Sequence, residues 1–362
     1  MYKLLGGLAN YFKYREIVVD CAIFRMHNVF TCALLSACSL IITANQFVGN
    51  PIQCIVDGLP NNVVNTYCWI SSTFTMPDAF QRQVGTEVAH PGIANDFSQD
   101  GAQKYYTYYQ WVCFVLFFQA VACYTPKVLW EVSENNLMRT LVMGLNIGVG
   151  REKEKNQKKE IVLGYLMDHL KRHNLYALRY FGCECLCLIN IIVQLYLMNK
   201  FFDGEFLSYG WRVMKFSDQA QEDRIDPMVY IFPRVTKCIF HKYGASGSIQ
   251  KHDSLCILPL NIVNEKTYIF IWFWFMILAT LLTVLVLYRI VIIAYPKIRA
   301  RIMHAKNRSI PIEVCRSLCS KVDVGDWWIL LMLGTNMDHI IYREIISELV
   351  KKIPVEAGAG GH

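Results

Sequence analysis

The chain alternates long apolar runs with long polar stretches. Residues 29–48 read "VFTCALLSACSLIITANQFV" without a charged residue. Residues 108–124, "YYQWVCFVLFFQAVACY", are also uncharged. Residues 180–198, "YFGCECLCLINIIVQLYLM", carry one charge, Glu184, and residues 268–288, "YIFIWFWFMILATLLTVLVLY", carry none and contain no Pro or Gly. An amphipathic surface helix would show polar positions every three or four residues, and these runs do not. A bilayer span needs about 20 mainly apolar residues. The pattern predicts four transmembrane helices, at 29–48, 108–129, 180–200 and 268–290. The segments 1–28, 49–107, 130–179, 201–267 and 291–362 then lie outside the membrane.

The second run is entered through "KYYTYYQWVCFVLFFQA", residues 104–120. Tyr and Trp have an apolar ring and a polar tip, so they settle where headgroups meet acyl chains. Tyr105, Tyr106, Tyr108, Tyr109 and Trp111 therefore read as the interfacial belt of the second span. Tyr268, Trp272 and Trp274 read the same way at the fourth. The competing reading, rings packed in a soluble core, fits poorly beside runs of this length.

Composition agrees with a membrane. Of 362 residues 54% are hydrophobic and 18% charged, where a soluble domain has about a quarter charged. Positive charge sets sidedness. Residues 1–28 carry four Lys/Arg, 126–179 ten and 289–362 eleven, but 49–107 only Arg82 and Lys104. Residues 201–267 carry eight and give no support. No compact apolar core ending in small residues marks a cleavable signal peptide. Both termini and the middle loop are expected in the cytosol, with two loops outside.

Cysteine tests that sidedness. Each outer loop holds two, Cys54 and Cys68, then Cys238 and Cys256, while 130–179 has none. Even numbers in an oxidising space point to disulfides, and four cysteines allow three pairings. Cys32, Cys38, Cys113, Cys123, Cys183, Cys185 and Cys187 lie in spans as small packing groups. Alternate positions do not share a helix face, so the triplet at 183–187 is no metal site. Cys21, Cys315 and Cys319 read as reduced thiols.

The outer loops look structured. Residues 67–80, "YCWISSTFTMPDAF", are rich in β-branched and aromatic residues, and residues 227–248 read as a short extended run followed by a Gly/Ser turn. Inside, residues 151–178 read as a charged helix with a later stripe of Leu163, Leu166 and Leu170. Val314, Leu318 and Val322 recur at helical spacing, Gly325 and Gly334 break the pattern, and residues 340–352 form a last helix.

Catalytic motifs are missing: there is no glycine-rich phosphate loop, HExxH or Gly-x-Ser-x-Gly. No enzyme, cofactor or metal is expected, and the basic clusters make a poor case for nucleic acid. His169 and His173 have ligand spacing without a third ligand, so a solvated face is preferred. An ionisable group inside a span usually marks transport. Glu184 alone qualifies, near an inner helix end where it reads as interfacial. Asn45, Gln46, Gln119, Asn190 and Gln194 are polar without charge. This argues against a coupled pump and fits a pore walled by many subunits, with the small-residue first span facing it through Ser36, Ser39, Thr43 and Asn45.

The stretches "YYQWV" (108–112) with Pro126 near the inner end of that span, "NPIQCIV" (50–56), "NTYCWISSTFT" (65–75), "DPMVYIFPRVTKCIFHKYG" (226–244) and "IVNEKTYIFIWFW" (262–274) resemble the innexins. "MYKLLG" and "FTMPDAF" resemble the insect ogre-type subgroup. The resemblance implies a mainly α membrane protein. It has four transmembrane helices, disulfide-braced α/β extracellular loops and a cytoplasmic helical dome, and assembles into a ring-shaped channel. It implies octameric hemichannels that dock across apposed cells, partnership with other innexin subunits, and residence at plasma-membrane gap junctions. It also implies pairing of Cys54 with Cys256 and of Cys68 with Cys238, and a pore funnel beginning Met1, Tyr2, Lys3 and Leu4. Pro126 lacks an amide hydrogen and is expected to kink the second span as a gating element. A four-span adhesion or scaffold protein without conductance is the alternative.

Overall fold

The computed structural model describes residues 17–94, 103–142, 144–146, 152–217 and 227–353. Its helices are α1 (Ala22–Phe47), α2 (Asn61–Ser71), α3 (Val112–Glu134), α4 (Leu137–Val142), α5 (Glu152–Asp168), α6 (Asn174–Phe201), α7 (Phe206–Ser217), α8 (Pro227–Ile231), α9 (Pro259–Ala294), α10 (Pro296–Lys306), α11 (Ile312–Lys321), α12 (Val324–Asn336) and α13 (His339–Lys352). The strands are β1 (Gln53–Ile55), β2 (Thr73–Thr75), β3 (Lys104–Tyr106), β4 (Val235–Tyr243) and β5 (Ile249–Ile257).

Four helices, α1, α3, α6 and α9, are long and apolar enough to cross a membrane, at 26, 23, 28 and 36 residues. At 1.5 Å per residue α9 is about 54 Å long, longer than the ~30 Å hydrocarbon core of a bilayer. α1 begins before the apolar run does. Cys21 caps it by accepting from the Phe24 amide, and a π-helical turn covers Met26–Phe30. His27 and Asn28 interrupt the hydrophobic pattern yet are fully buried there. α3 begins later than its run, because Tyr108–Gln110 form a 3-10 turn.

The chain divides into two units. One comprises Val29–Tyr124 and Ile189–Thr280, the other Met1–Asn28, Thr125–Leu188 and Leu281–His362. The first unit contains an antiparallel sheet of order β1-β5-β4-β2-β3. β4 and β5 form a hairpin closed by the Gly244 amide donating to the Ser248 carbonyl. Two loop expectations are corrected here. "YCWIS" is the end of helix α2, because its Val64 and Cys68 share one buried face. "PMVYI" is helix α8, and the extended run starts at Val235.

Among its described residues the second unit is built of helices and the segments that join them, with no strand. α5 buries Val162, Leu163 and Leu166 and keeps its charged start exposed. α13 is capped by Asp338, whose side chain accepts from the Ile340 and Ile341 amides. α12 is buried on nearly every face, Trp327 through Leu333. Gly325 and Gly334 were expected to break the helical pattern, but both lie inside α12. They are contact points rather than breaks. A Cβ on Gly325 would stand 2.2 Å from the His173 carbonyl carbon, and one on Gly334 would stand 2.7 Å from the Tyr342 ring.

Candidate functional site

The cysteines of the two outer loops come together in the first unit. Cys54 on β1 lies directly opposite Cys256 on β5 and is bonded to it, closing 202 residues of chain. Cys68 on α2 is bonded to Cys238 on β4 across 170 residues. Around them pack Ile52, Val64 and Leu258, with Tyr67 and Trp69 at the margin. The two bridges thus staple one helix and three strands of the sheet onto one small core. Three of these sulfurs, those of Cys54, Cys68 and Cys256, approach within 4.8 Å. All three are engaged in disulfides, so they offer no thiolate to a metal.

The sheet's inner residues are held by polar contacts as well. Lys237 is buried, and its ammonium donates to the Ala94 carbonyl and pairs with Asp253 at 2.9 Å. Glu265 is fully buried and accepts from the Arg234 guanidinium at 3.0 Å. Lys104 places its Nζ 4.2 Å from the Tyr230 ring centre, and burial lowers its pKa.

The aromatic doorstep is not a uniform belt. Tyr109 is fully buried, donates to the Cys68 carbonyl and packs on Trp69 at 4.7 Å. Tyr106 is buried and donates to the Tyr230 carbonyl. Tyr108 donates to the Ile231 carbonyl and packs edge-on against Phe202 and Phe232. Tyr268 stacks on Phe232, and Trp272, 6% exposed, donates to the Leu207 carbonyl. Trp274 donates to the Thr31 hydroxyl. Only Tyr105, 57% exposed, and Trp111, 60% exposed, present large open faces as a belt requires. The other rings pack inward, and Tyr106, Tyr108, Tyr109, Trp272 and Trp274 each donate to a partner from the polar tip, as buried Tyr and Trp usually do.

The four residues expected on a pore face of α1 differ in exposure. Ser39 is buried and donates to the Cys113 carbonyl of α3, a neighbouring helix. Thr43 and Ser36 are half-buried, and Thr43 donates back to Ser39. Asn45 is exposed, donating to the Ile41 carbonyl. Gln194 is buried on α6 and donates to the Gln119 carbonyl of α3. Pro126 is buried within α3, which continues to Glu134. Met1, Tyr2, Lys3 and Leu4 lie outside the described residues.

In the second unit, Glu184 is not at a solvated surface. It is fully buried and receives two hydrogen bonds from Arg289 of α9, at 2.6 and 2.7 Å. The guanidinium lies 4.5 Å from the Trp328 ring centre. A second buried pair joins Asp20 to Lys127 of α3 at 2.6 Å. His173 is not on a solvated face either: its Nδ1 is 2.7 Å from Asp326 of α12, and both are buried. His169 stacks on Tyr165. Cys183 and Cys187 are buried while Cys185 is exposed, as alternate helical positions must be. The sequence missed these pairs because no local spacing announces partners so far apart along the chain. The one available signal was the presence of charge inside or beside an apolar run.

Four apolar helices, a lobe stapled by two disulfides and a helical unit define a four-span membrane protein with folded loops. The family model described as Innexin matches residues 20–353. The chain is 69% identical to Innexin inx1 of Schistocerca americana over 353 residues, covering 98% of each chain. It is 66% identical to Innexin inx1 of Drosophila melanogaster over the same length and coverage, and 46% identical to Innexin shaking-B of Drosophila melanogaster over 354 residues, covering 98% of this chain and 95% of that one. The chain belongs to the innexin family.

Proposed function

We propose that the chain is a subunit of a ring whose central aqueous pore passes ions and small metabolites, either between two docked cells or across one plasma membrane. As an innexin it is a gap-junction channel subunit, and a scaffold without conductance is not favoured. The observation that carries the physical reading is the lobe in which both disulfides converge. It makes a rigid rim from loops that would otherwise be mobile, and a rim of this kind can meet a second ring without leaking.

The finer features extend that reading. The ring is octameric, of this chain alone or with other innexin subunits, and both termini are cytoplasmic. Residues Met1, Tyr2, Lys3 and Leu4 begin a funnel inside the pore, where a ring of Lys3 ammonium groups mildly favours anions. Pro126 denies the ladder of α3 one hydrogen bond and supplies a gating flexure. Asn45 remains a pore-facing candidate on α1. Placement in the ogre-type subgroup rests on "MYKLLG" and "FTMPDAF", while the relatives at 69% and 66% identity carry the name inx1. Membership of a channel family that is not an enzyme family agrees with the lack of catalytic motifs.

Purified protein in sealed vesicles tests the reading. Negative-stain images showing rings, together with release of a trapped small dye, are the expected outcome. Well-formed particles in vesicles that retain the dye under all voltages would support the scaffold instead.

A further inference from the structure

The stretch of chain that enters α1 is tied down residue by residue within the second unit. Val18 donates its amide to Asn336 Oδ1 at 2.6 Å, and Asn336 Nδ2 donates back to the Val18 carbonyl at 2.7 Å. Trp130 Nε1 donates to the Val19 carbonyl at 3.2 Å. Asp20 holds the buried Lys127 ammonium. The Cys21 amide donates to the Tyr180 hydroxyl at 2.8 Å, and its thiol reaches Glu184 at 3.4 Å.

Three of these four residues are bound to α3 or α6, helices with membrane-spanning character. Val18 alone is bound to α12, a helix of the C-terminal region. The contact is specific in kind. A carboxamide presents a donor and an acceptor side by side, as a strand edge does, and so pairs with both backbone groups of one residue. Asn336 is buried at the end of α12, just after the apolar run Trp327 through Leu333, and its Nδ2 also donates to the Met332 carbonyl. A buried carboxamide without partners would be costly, and here both of its ends are satisfied. An apolar residue would suit the packing of α12 equally well but would leave Val18 unbound.

We infer that Asn336 is a positioning residue for conduction: through its paired hydrogen bonds to Val18, helix α12 sets where the chain enters the first membrane helix. The inference rests on the proposed channel function, in which the residues preceding Val18 line the pore. It makes the C-terminal helices a determinant of the open-to-closed ratio although they need not touch the permeating ion.

The test uses full-length channels carrying Asn336→Ala, Asn336→Asp, Trp130→Phe or Thr335→Val. Thr335 is the control, an exposed neighbour on α12 whose hydroxyl donates only within the helix, to Leu331. Losing two net hydrogen bonds shifts the open-to-closed ratio at fixed voltage by about tenfold. Asn336→Ala should show that shift with rings intact. Asn336→Asp keeps the acceptor for the Val18 amide but turns a carboxylate oxygen on the Val18 and Met332 carbonyls, so it should shift the ratio at least as far as Asn336→Ala. Thr335→Val should match wild type. If Asn336→Ala forms no rings, Asn336→Asp and Trp130→Phe decide, the latter keeping its ring but losing the donor to Val19. Gating like wild type in every ring-forming Asn336 variant, or an equal shift in Thr335→Val, would overturn the inference. Hydrogen exchange of the Val18 amide separates this from failure of the channel reading. It should quicken about tenfold in Asn336→Ala even in protein that conducts nothing, and an unchanged rate would refute the tie itself.

Discussion

The disulfide-braced lobe and the helical unit face the same problem and solve it with different chemistry. Each must hold together segments that lie far apart in the chain. In the lobe the ties are covalent, with bridges closing 202 and 170 residues. In the helical unit they are buried ion pairs, Glu184 with Arg289 and Asp20 with Lys127, while Cys21, Cys315 and Cys319 remain thiols. Disulfides suit an oxidising space and thiols a reducing one, so the contrast agrees with the proposed sidedness. It also separates two mechanical roles. A cross-link removes freedom from the unfolded chain. A buried ion pair adds little net stability but is expensive to break on one side, so it specifies one arrangement.

Substitution at the covalent ties should have the largest consequence. Cys54→Ser or Cys256→Ser removes a native bridge at about 2–5 kcal/mol, and dye transfer between paired cells should disappear. Transfer at the wild-type rate would show that the rim does not depend on its staple. Next comes the ionic tie. Arg289→Met strands the buried Glu184 carboxylate, a loss of about 3–5 kcal/mol, visible as a lower melting temperature of the purified ring. Adding Glu184→Gln should restore much of that loss, and a double variant as unstable as the single one would deny that the pair acts as a unit.

A smaller effect is expected at the close approach of α12. Gly325→Ala pushes a methyl group into the His173 backbone and should destabilise by about 1–3 kcal/mol. Melting unchanged from wild type would mean that the helices part freely there. The smallest effect is chemical. Burial, reinforced by neighbouring Cys315, pushes the Cys319 thiol up to about 12. Since the thiolate is the reactive form, Cys319 should resist alkylation near neutral pH in folded protein and react once denaturant is added. Equal labelling in both states, followed by mass spectrometry, would erase the contrast between buried thiols inside and bonded cysteines outside.

Much of this architecture was legible in the residues. The four apolar runs lie within helices long enough to span, give or take the turn that delays α3 to Val112. Two cysteines per outer loop marked a region that could be braced. The charged stretch with Leu163 and Leu166 is the helix α5. Aromatic roles were less legible. Tyr109 and Trp111 are two positions apart in one motif, yet one is fully buried and the other 60% exposed. Their burial depends on Trp69, Cys68 and the helices behind them, and not on hydropathy.

The sequence by itself determined which segments leave water and which stay in it, because transfer free energy is summed over neighbouring residues and can be read along the chain. Only the tertiary structure decided the partners. Glu184 meets Arg289 across 105 positions and Val18 meets Asn336 across 318. A hydrogen bond or ion pair depends on distance in space, and that distance exists only once the helices have packed.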